Sequence, residues 1–273
     1  MAVTYNASAH VAIIGCGTIG RQVALLYVQH DRDVILYDTT ESVANEALRW
    51  VKSQLNQTPE QLERLKVAFE LKEAVEDAWM VIECTPENID AKSRLMKTLD
   101  GLCGSKTIIT TNSSTIRSSI LVKGIATEGQ RRILNTHYFP PAHSPLVELM
   151  SCGNTSPDTI EFLLQDLRKL GRHPFLCRAD STGFVANRIW AAIKREVMMV
   201  LADGVASPTE IDGIFKSCLH VQRGPCELME EVGLETVCEI EEIYLEGRKW
   251  LPRYPLDFFR QNYVEAAYTN LRS

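Results

Sequence analysis

The chain is predicted to be an α/β protein: a doubly wound parallel sheet followed by a smaller all-helical domain. Three observations carry this reading. Short β-branched apolar runs alternate with amphipathic stretches through the first two thirds of the sequence, the pattern of repeated βαβ units. A glycine-rich loop joins the first such run to the first helical stretch. Beyond residue 183 the strand-like runs cease and only helical spacing remains.

The elements follow in order. Strands are expected at 11–15, 34–38, 67–70, 80–84, 107–111 and 133–137, because these runs are short, apolar and rich in β-branched residues. Helices are expected between them at 19–29, 43–55 and 91–102. After Pro141 a strand at 146–150, a helix at 157–170 and a strand at 173–177 complete the sheet region. The polar connector 178–182 marks a boundary, giving domains 1–180 and 181–273. A long helix at 184–202 places Val185, Ile189, Ile193 and Val197 on one face at i, i+4 spacing. Shorter helices are expected at 208–217, 225–232 and 235–246.

Composition narrows the function classes. With 273 residues, 45% of them apolar, the chain can bury a substantial core. A net charge of −6 argues against a nucleic-acid partner and against a polybasic membrane patch. No apolar run approaches the roughly 18 residues of a bilayer span. The first ten residues lack the features of a secretory or mitochondrial leader, and Leu271-Arg272-Ser273 is not a peroxisomal address, so the cytoplasm is the expected compartment. Eight cysteines occur without any C-x-x-C pair, so reduced, mostly buried thiols are expected, with no disulfide framework and no metal site.

Gly15-Cys16-Gly17-Thr18-Ile19-Gly20 follows a strand and opens a helix. Gly15 makes the tight turn, Gly17 admits a pyrophosphate close to the backbone, and Gly20 lets helix and strand pack closely. The anion then lies at the helix N-terminus, where Thr18 and Ile19 contribute unpaired N–H groups. Asp38 ends the second strand 18 residues beyond Gly20, placed to accept hydrogen bonds from an adenosine ribose. Thr39 and Thr40 follow it, where an arginine would favour a 2′-phosphate. The strand, loop and acid together make the start of the chain Rossmann-like and point to NAD over NADP.

His137 ends a strand at the carboxyl edge of the sheet, where ligands bind in open α/β folds. Glu148 is an acid within the apolar run Leu146-Val147-Glu148-Leu149-Met150. A carboxylate bonded to one ring nitrogen would fix the tautomer and stabilise the imidazolium that forms when an alcohol proton is taken. A structural role for a strand-end histidine is the alternative on these residues alone.

Several stretches in one order resemble the 3-hydroxyacyl-CoA dehydrogenase family: Gly15 to Gly20, Glu83-Cys84-Thr85-Pro86-Glu87-Asn88, Asn112-Ser113-Ser114-Thr115, His137-Tyr138-Phe139, Val147-Glu148, Gly183-Phe184-Val185-Ala186-Asn187-Arg188, Gly224-Pro225 and Gly233-Leu234. The resemblance implies NAD-dependent interconversion of a 3-hydroxyacyl compound and its 3-keto form, in fatty acid metabolism. It implies His137 as general base and acid, Glu148 as its orienting partner, and Ser114 and Asn187 as holders of the substrate oxygen. It places Glu87 and Lys92 near the nicotinamide and its ribose, with Asn112 at the floor of that pocket, and it implies a homodimer.

Two segments depart from the family pattern. The family usually reads His-Phe-Phe-Asn-Pro, with an Asn directly after the two aromatics, where this chain reads His137-Tyr138-Phe139-Pro140-Pro141. The family commonly closes on a Lys-Thr-Gly type segment, where this chain has Trp250-Leu251-Pro252-Arg253-Tyr254-Pro255. A CoA tail would call for a basic patch at the cleft mouth, for which Lys52, Arg64 and Lys66 are candidates; Trp190 and Trp250 are candidates for an acyl pocket or for core. The readings in play are an acyl-CoA dehydrogenase, a dehydrogenase of a free hydroxy acid or specialised metabolite, and an NAD-binding protein with a structural role.

Overall fold

The computed structural model describes residues 9–55 and 58–265. The expectations about a leader and about the last three residues fall on segments outside the described residues. The chain divides into two compact units, Met1–Val185 and Ala186–Ser273.

In the first unit the strands are β1 (Val11–Ile14), β2 (Val34–Tyr37), β3 (Leu65–Val67), β4 (Met80–Glu83), β5 (Ile108–Thr111), β6 (Ile133–Tyr138), β7 (Leu146–Ser151) and β8 (His173–Cys177). They form one sheet in the order β3-β2-β1-β4-β5-β6-β7-β8. Strands β1 to β6 run parallel, β7 pairs antiparallel with β6, and β8 is parallel to β7. The reversal at β7 follows from the short link at 139–145, too few residues for a crossover back to a parallel start. The helices are α1 (Thr18–Gln29), α2 (Glu41–Gln54), α3 (Pro59–Glu63), α4 (Leu71–Val75), α5 (Ile89–Leu102), α6 (Ser118–Leu121), α7 (Thr127–Gln130) and α8 (Pro157–Lys169).

Alternation along β1 explains why the sheet is covered on both sides. Val11 and Ile13 enter one core with Val23 and Tyr27 of α1, Ala47 of α2 and Leu163 of α8. Ala12 and Ile14 enter the other with Met96 and Leu99 of α5 and Leu121 of α6. A strand buried on both faces reads as a near-continuous apolar run, and each such Val, Ile or Leu contributes about 1.5–3 kcal/mol by leaving water.

Two strand and helix expectations are corrected. The strand expected at 67–70 is β3, ending at Val67, and Glu70 instead precedes α4 as its N-terminal flanking residue. β3 is the sheet edge, where Lys66 is exposed; an edge strand with a charged residue does not read as an apolar run. The long helix expected from 184 begins at Ala186, because Phe184 has a left-handed backbone with φ 53°. Short helices of four or five residues, α3, α4, α6 and α7, carry too little periodicity to be read from sequence.

In the second unit α9 (Ala186–Ala202), α10 (Pro208–Leu219), α11 (Pro225–Val232), α12 (Leu234–Gly247) and α13 (Tyr254–Phe259) are followed by a π-helical turn, Arg260–Glu265. The face of α9 that is buried is Ala191, Lys194, Val197, Met198 and Leu201, whereas Val185 and Ile189 of the expected stripe stay exposed. The core joins Met198 and Leu201 to Met229 of α11, Val237 of α12, and Leu256, Phe259 and Val264 of the closing segment. The atypical end of the chain therefore completes this unit's core as far as residue 265. Arg195 forks onto Glu241 at 2.5 and 3.0 Å. The Asp212 carboxylate accepts from the N–H groups of Cys226 and Glu227 at the start of α11, at 2.8 and 3.1 Å. A Cβ on Gly224 would lie 2.2 Å from Asp212 Oδ1, which accounts for the glycine of Gly224-Pro225.

Candidate active site

At the carboxyl ends of β1 and β4, beside the point where strand order reverses, lies a cleft of about 680 Å³. That volume lies within the range of small-molecule sites. Its lining includes Gly15, Gly17, Thr18, Ile19, Asp38, Glu87, Lys92, Asn112, Ser114 and His137, so ten of the residues singled out from sequence border one space.

The glycine loop is built by backbone contacts. Gly15 donates to the Tyr37 carbonyl at 2.9 Å. Its φ is +95°, and a Cβ there would sit 2.8 Å from the Cys84 backbone. A Cβ on Gly20 would lie 2.0 Å from the Gly15 carbonyl oxygen. Gly17 differs: its φ is −65°, and a Cβ would meet nothing within 4 Å. Neither conformation nor protein packing requires glycine there, so the open space beside it suits a ligand's close approach. Gly17 flanks α1, whose first turn has no capping side chain and no acid, and its N–H groups suit the pyrophosphate of a dinucleotide.

Asp38 accepts from the Cys16 N–H at 2.9 Å and the Thr40 N–H at 3.0 Å. The carboxylate that faces the cleft thus also braces the loop, a role invisible in the sequence spacing. Burial and the neighbouring Asp38 charge push the Cys16 thiol up to about 12, and burial also raises Cys84. Both stay protonated and unreactive at neutral pH. None of the eight cysteines is in a disulfide; Cys218 is exposed, Cys84 half-buried and the other six buried. Among the described residues no cluster with metal-binding composition occurs, and no helix is long and apolar enough to cross a membrane.

Behind the cleft wall lies a charged network that sequence reasoning missed. Glu83, fully buried at the end of β4, accepts from Lys92 Nζ at 2.6 Å, from the Thr85 N–H at 2.6 Å, and from the hydroxyls of Thr85 and Thr111 at 2.5 Å each. Lys92 is 1% exposed and also donates to the Thr85 carbonyl at 2.9 Å. Its third neighbour is Glu87, at 4.0 Å. Glu87 in turn accepts from the Ser113 hydroxyl at 2.7 Å and the Ser114 N–H at 2.9 Å. Lys92 therefore neutralises a buried carboxylate as well as bordering the cleft. A single acid ending an apolar strand, Val81-Ile82-Glu83, was the available signal.

β6 and β7 bring His137 and Glu148 directly opposite each other. The two prolines at 140 and 141 begin a compact turn in which His143 and Ser144 both donate to the Pro140 carbonyl, and that turn sets this register. His137 is 7% exposed, and its Nδ1, buried without a hydrogen-bond partner, lies 3.9 Å from Glu148 Oε2. Glu148 Oε1 accepts from the Val185 N–H at 2.9 Å. The imidazole stacks on Phe184 (centroids 5.0 Å, 22° between planes) and meets Phe139 edge-on at 4.6 Å. Asn112 Oδ1 accepts from the Tyr138 N–H at 2.8 Å, tying the end of β6 to the loop after β5. The Tyr138 hydroxyl, 2.9 Å from that of Tyr27, packs into the core beneath. Asn187 belongs to the second unit, in the first turn of α9.

A glycine loop and a histidine with a carboxylate opposite it in the sheet, loop and histidine bordering one cleft, define a narrow class. A family model described as "3-hydroxyacyl-CoA dehydrogenase, NAD binding domain" matches residues 10–181, and one described as "3-hydroxyacyl-CoA dehydrogenase, C-terminal domain" matches residues 183–270. The chain belongs to the 3-hydroxyacyl-CoA dehydrogenase family. This is a family of NAD-dependent oxidoreductases acting on CH–OH groups, with NAD as the cofactor of the first unit. The chain is 30% identical over 258 residues to the lambda-crystallin of Oryctolagus cuniculus, covering 89% of this chain and 80% of that protein. It is 38% identical over 145 residues to the 3-hydroxyacyl-CoA dehydrogenase-like protein LAM1 of Cochliobolus heterostrophus, a match spanning 53% of this chain but 30% of that protein. Among solved structures, the (S)-3-hydroxybutyryl-CoA dehydrogenase PaaH1 of Ralstonia eutropha superposes with a TM-score of 0.85 at 28% identity, covering 95% of this chain and 94% of that one.

One expectation about the substrate is corrected. Lys52, Arg64 and Lys66 do not line the cleft; they gather in a separate hollow with Asp33, Glu60 and Glu63. Arg64 there is paired with Asp33 at 2.8 Å. Trp190 packs against the second unit's core, and Trp250 is 80% exposed.

Proposed function

We propose that the chain interconverts a 3-hydroxyacyl compound, carried as a CoA thioester, and its 3-keto form, with His137 as general base in oxidation and general acid in reduction. The observation that carries this reading is the register of β6 and β7, which sets His137 opposite Glu148 on the wall of the cleft that holds the glycine loop. In oxidation the substrate O–H proton passes to His137 Nε2, because Nδ1 faces Glu148. Glu148, anchored by the Val185 N–H, stabilises the imidazolium so formed, and a separation of 3.9 Å in the free protein is of the kind that shortens when substrate arrives. Bound NAD supplies the hydride acceptor. Ser114, on the same wall, donates to the substrate oxygen, and Asp38 accepts from the ribose hydroxyls.

NADH absorbance followed with acetoacetyl-CoA, and separately with free β-keto acids, tests the proposal. Turnover of the thioester is expected, with kcat falling about 10²–10⁴-fold in His137→Gln. Ser114→Ala and Asn187→Ala are each expected to lower kcat. Unchanged turnover in His137→Gln would remove the base assignment. A second reading, a free hydroxy acid as substrate, is favoured by the absence of Lys52, Arg64 and Lys66 from the cleft; turnover of β-keto acids alone would establish it. NADH binding with no turnover of either class would leave a non-catalytic role.

A further inference from the structure

The segment that closes the first unit touches both members of the proposed dyad. Gly183 and Phe184 are consecutive residues of positive φ, +83° and +53°. Glycine adopts that region freely, but a bulky aromatic residue there is an outlier that persists only where its surroundings hold it. Phe184 is 2% exposed and packs with Met150 of β7 and Cys177 of β8 in a small core of its own, apart from the two that sandwich the sheet. Its ring lies nearly parallel to the His137 imidazole. The next backbone N–H, that of Val185, holds Glu148 Oε1. One left-handed turn thus fixes the plane of the imidazole with a side chain and the carboxylate opposite with the main chain.

We propose that Phe184 is a positioning residue for His137: its ring, pinned by the left-handed turn, holds the imidazole in the plane from which Nδ1 faces Glu148 and Nε2 is left for the substrate. This rests on His137 being the proton-transfer group. An ordinary helix start at 184 would swing the ring off the imidazole and withdraw the Val185 N–H from the carboxylate, which gives the strained backbone a purpose. A displaced base costs turnover more than binding, since the ground-state complex depends little on its orientation.

The test compares wild type with Phe184→Leu, Phe184→Tyr and His137→Gln, using NADH with acetoacetyl-CoA, alongside ¹H–¹³C spectra of ring-labelled histidine in the free protein. In Phe184→Leu, kcat is expected to fall by about tenfold while both KM values stay within about twofold. Phe184→Tyr, which keeps the aromatic face, is expected to restore most of kcat. The His137 ring resonance, identified by its loss in His137→Gln, is expected upfield of the exposed histidines in wild type and to lose that displacement in Phe184→Leu. Collapse in His137→Gln with full kcat in Phe184→Leu would overturn the positioning role, as would equal impairment of the Leu and Tyr variants. Full activity in His137→Gln would overturn the base assignment and this proposal with it. The spectra need no substrate, and an undisplaced His137 resonance in wild type would overturn the proposal even if Phe184→Leu failed to fold.

Discussion

Three glycines share the nucleotide loop and answer to different demands. Gly15 and Gly20 are required by the protein's own backbone, whereas Gly17 borders open space. Gly17→Ala is therefore expected to leave thermal stability within about 1 kcal/mol of wild type while weakening NADH binding markedly by titration calorimetry. Gly20→Ala should lose both, because its Cβ would overlap the Gly15 carbonyl. Equal effects of the two substitutions on unfolding would contradict this division. The spacing G-x-G-x-x-G was legible in the sequence, but which glycine serves the fold and which the ligand became visible only with neighbouring atoms in place. Lys92 makes the same point. Its pairing with fully buried Glu83 means that Lys92→Ala strands a carboxylate, at a cost of about 3–5 kcal/mol in urea unfolding. Combining it with Glu83→Gln should recover much of that loss.

At the scale of elements, sequence patterns read best where burial is symmetric. β1, β4 and β5 are buried on both faces and were legible as runs. β3 was misplaced, by two residues at its start and three at its end, because the sheet edge tolerates Lys66. Helix ends follow local rules. α10 opens on Ser207 with a reciprocal Glu210 capping box, in which hydrogen bonds from Ser207 hold the Glu210 carboxyl below its ordinary range. A depressed carboxyl stabilises above its unfolded-state value and loses that contribution as pH falls through the folded one, so the box weakens only in acid. The other end of α10 is less well matched, since His220 occupies the left-handed position with φ 55°. His220→Gly is expected to raise stability by about 1 kcal/mol, measured as an upward shift in the urea midpoint; no shift or a fall would show the histidine to be favoured there.

For the whole molecule, the exposed apolar residues bear on assembly. Ile189 is 58% and Ile214 66% exposed, and Leu219 and Val232 are exposed as well. Leaving such side chains in water forgoes about 1.5–3 kcal/mol each, which burial at an interface would recover. Sedimentation velocity is expected to give a homodimer, weakened by Ile214→Glu; a monomer at micromolar concentration would contradict that. The expected stripe on α9 was periodic in sequence, yet periodicity records which residues share a face and not what covers that face. Covering is decided by α11, α12 and α13, whose apolar residues select Val197, Met198 and Leu201 of α9, and of these Val197 alone belongs to the expected stripe.

Local order alone was enough for the α/β class, the nucleotide loop with Asp38, and the change to helices after the sheet, because turns, caps and period-two burial depend on neighbours in the chain. The pairing of His137 with Glu148 came from resemblance; their face-to-face register came from the way β7 folds back on β6. The Glu83–Lys92 pair, the Asp38 brace on the loop and the Phe184 stack required the tertiary structure. Each joins residues on different elements, and their distances and burial are set by packing that no single stretch of sequence contains.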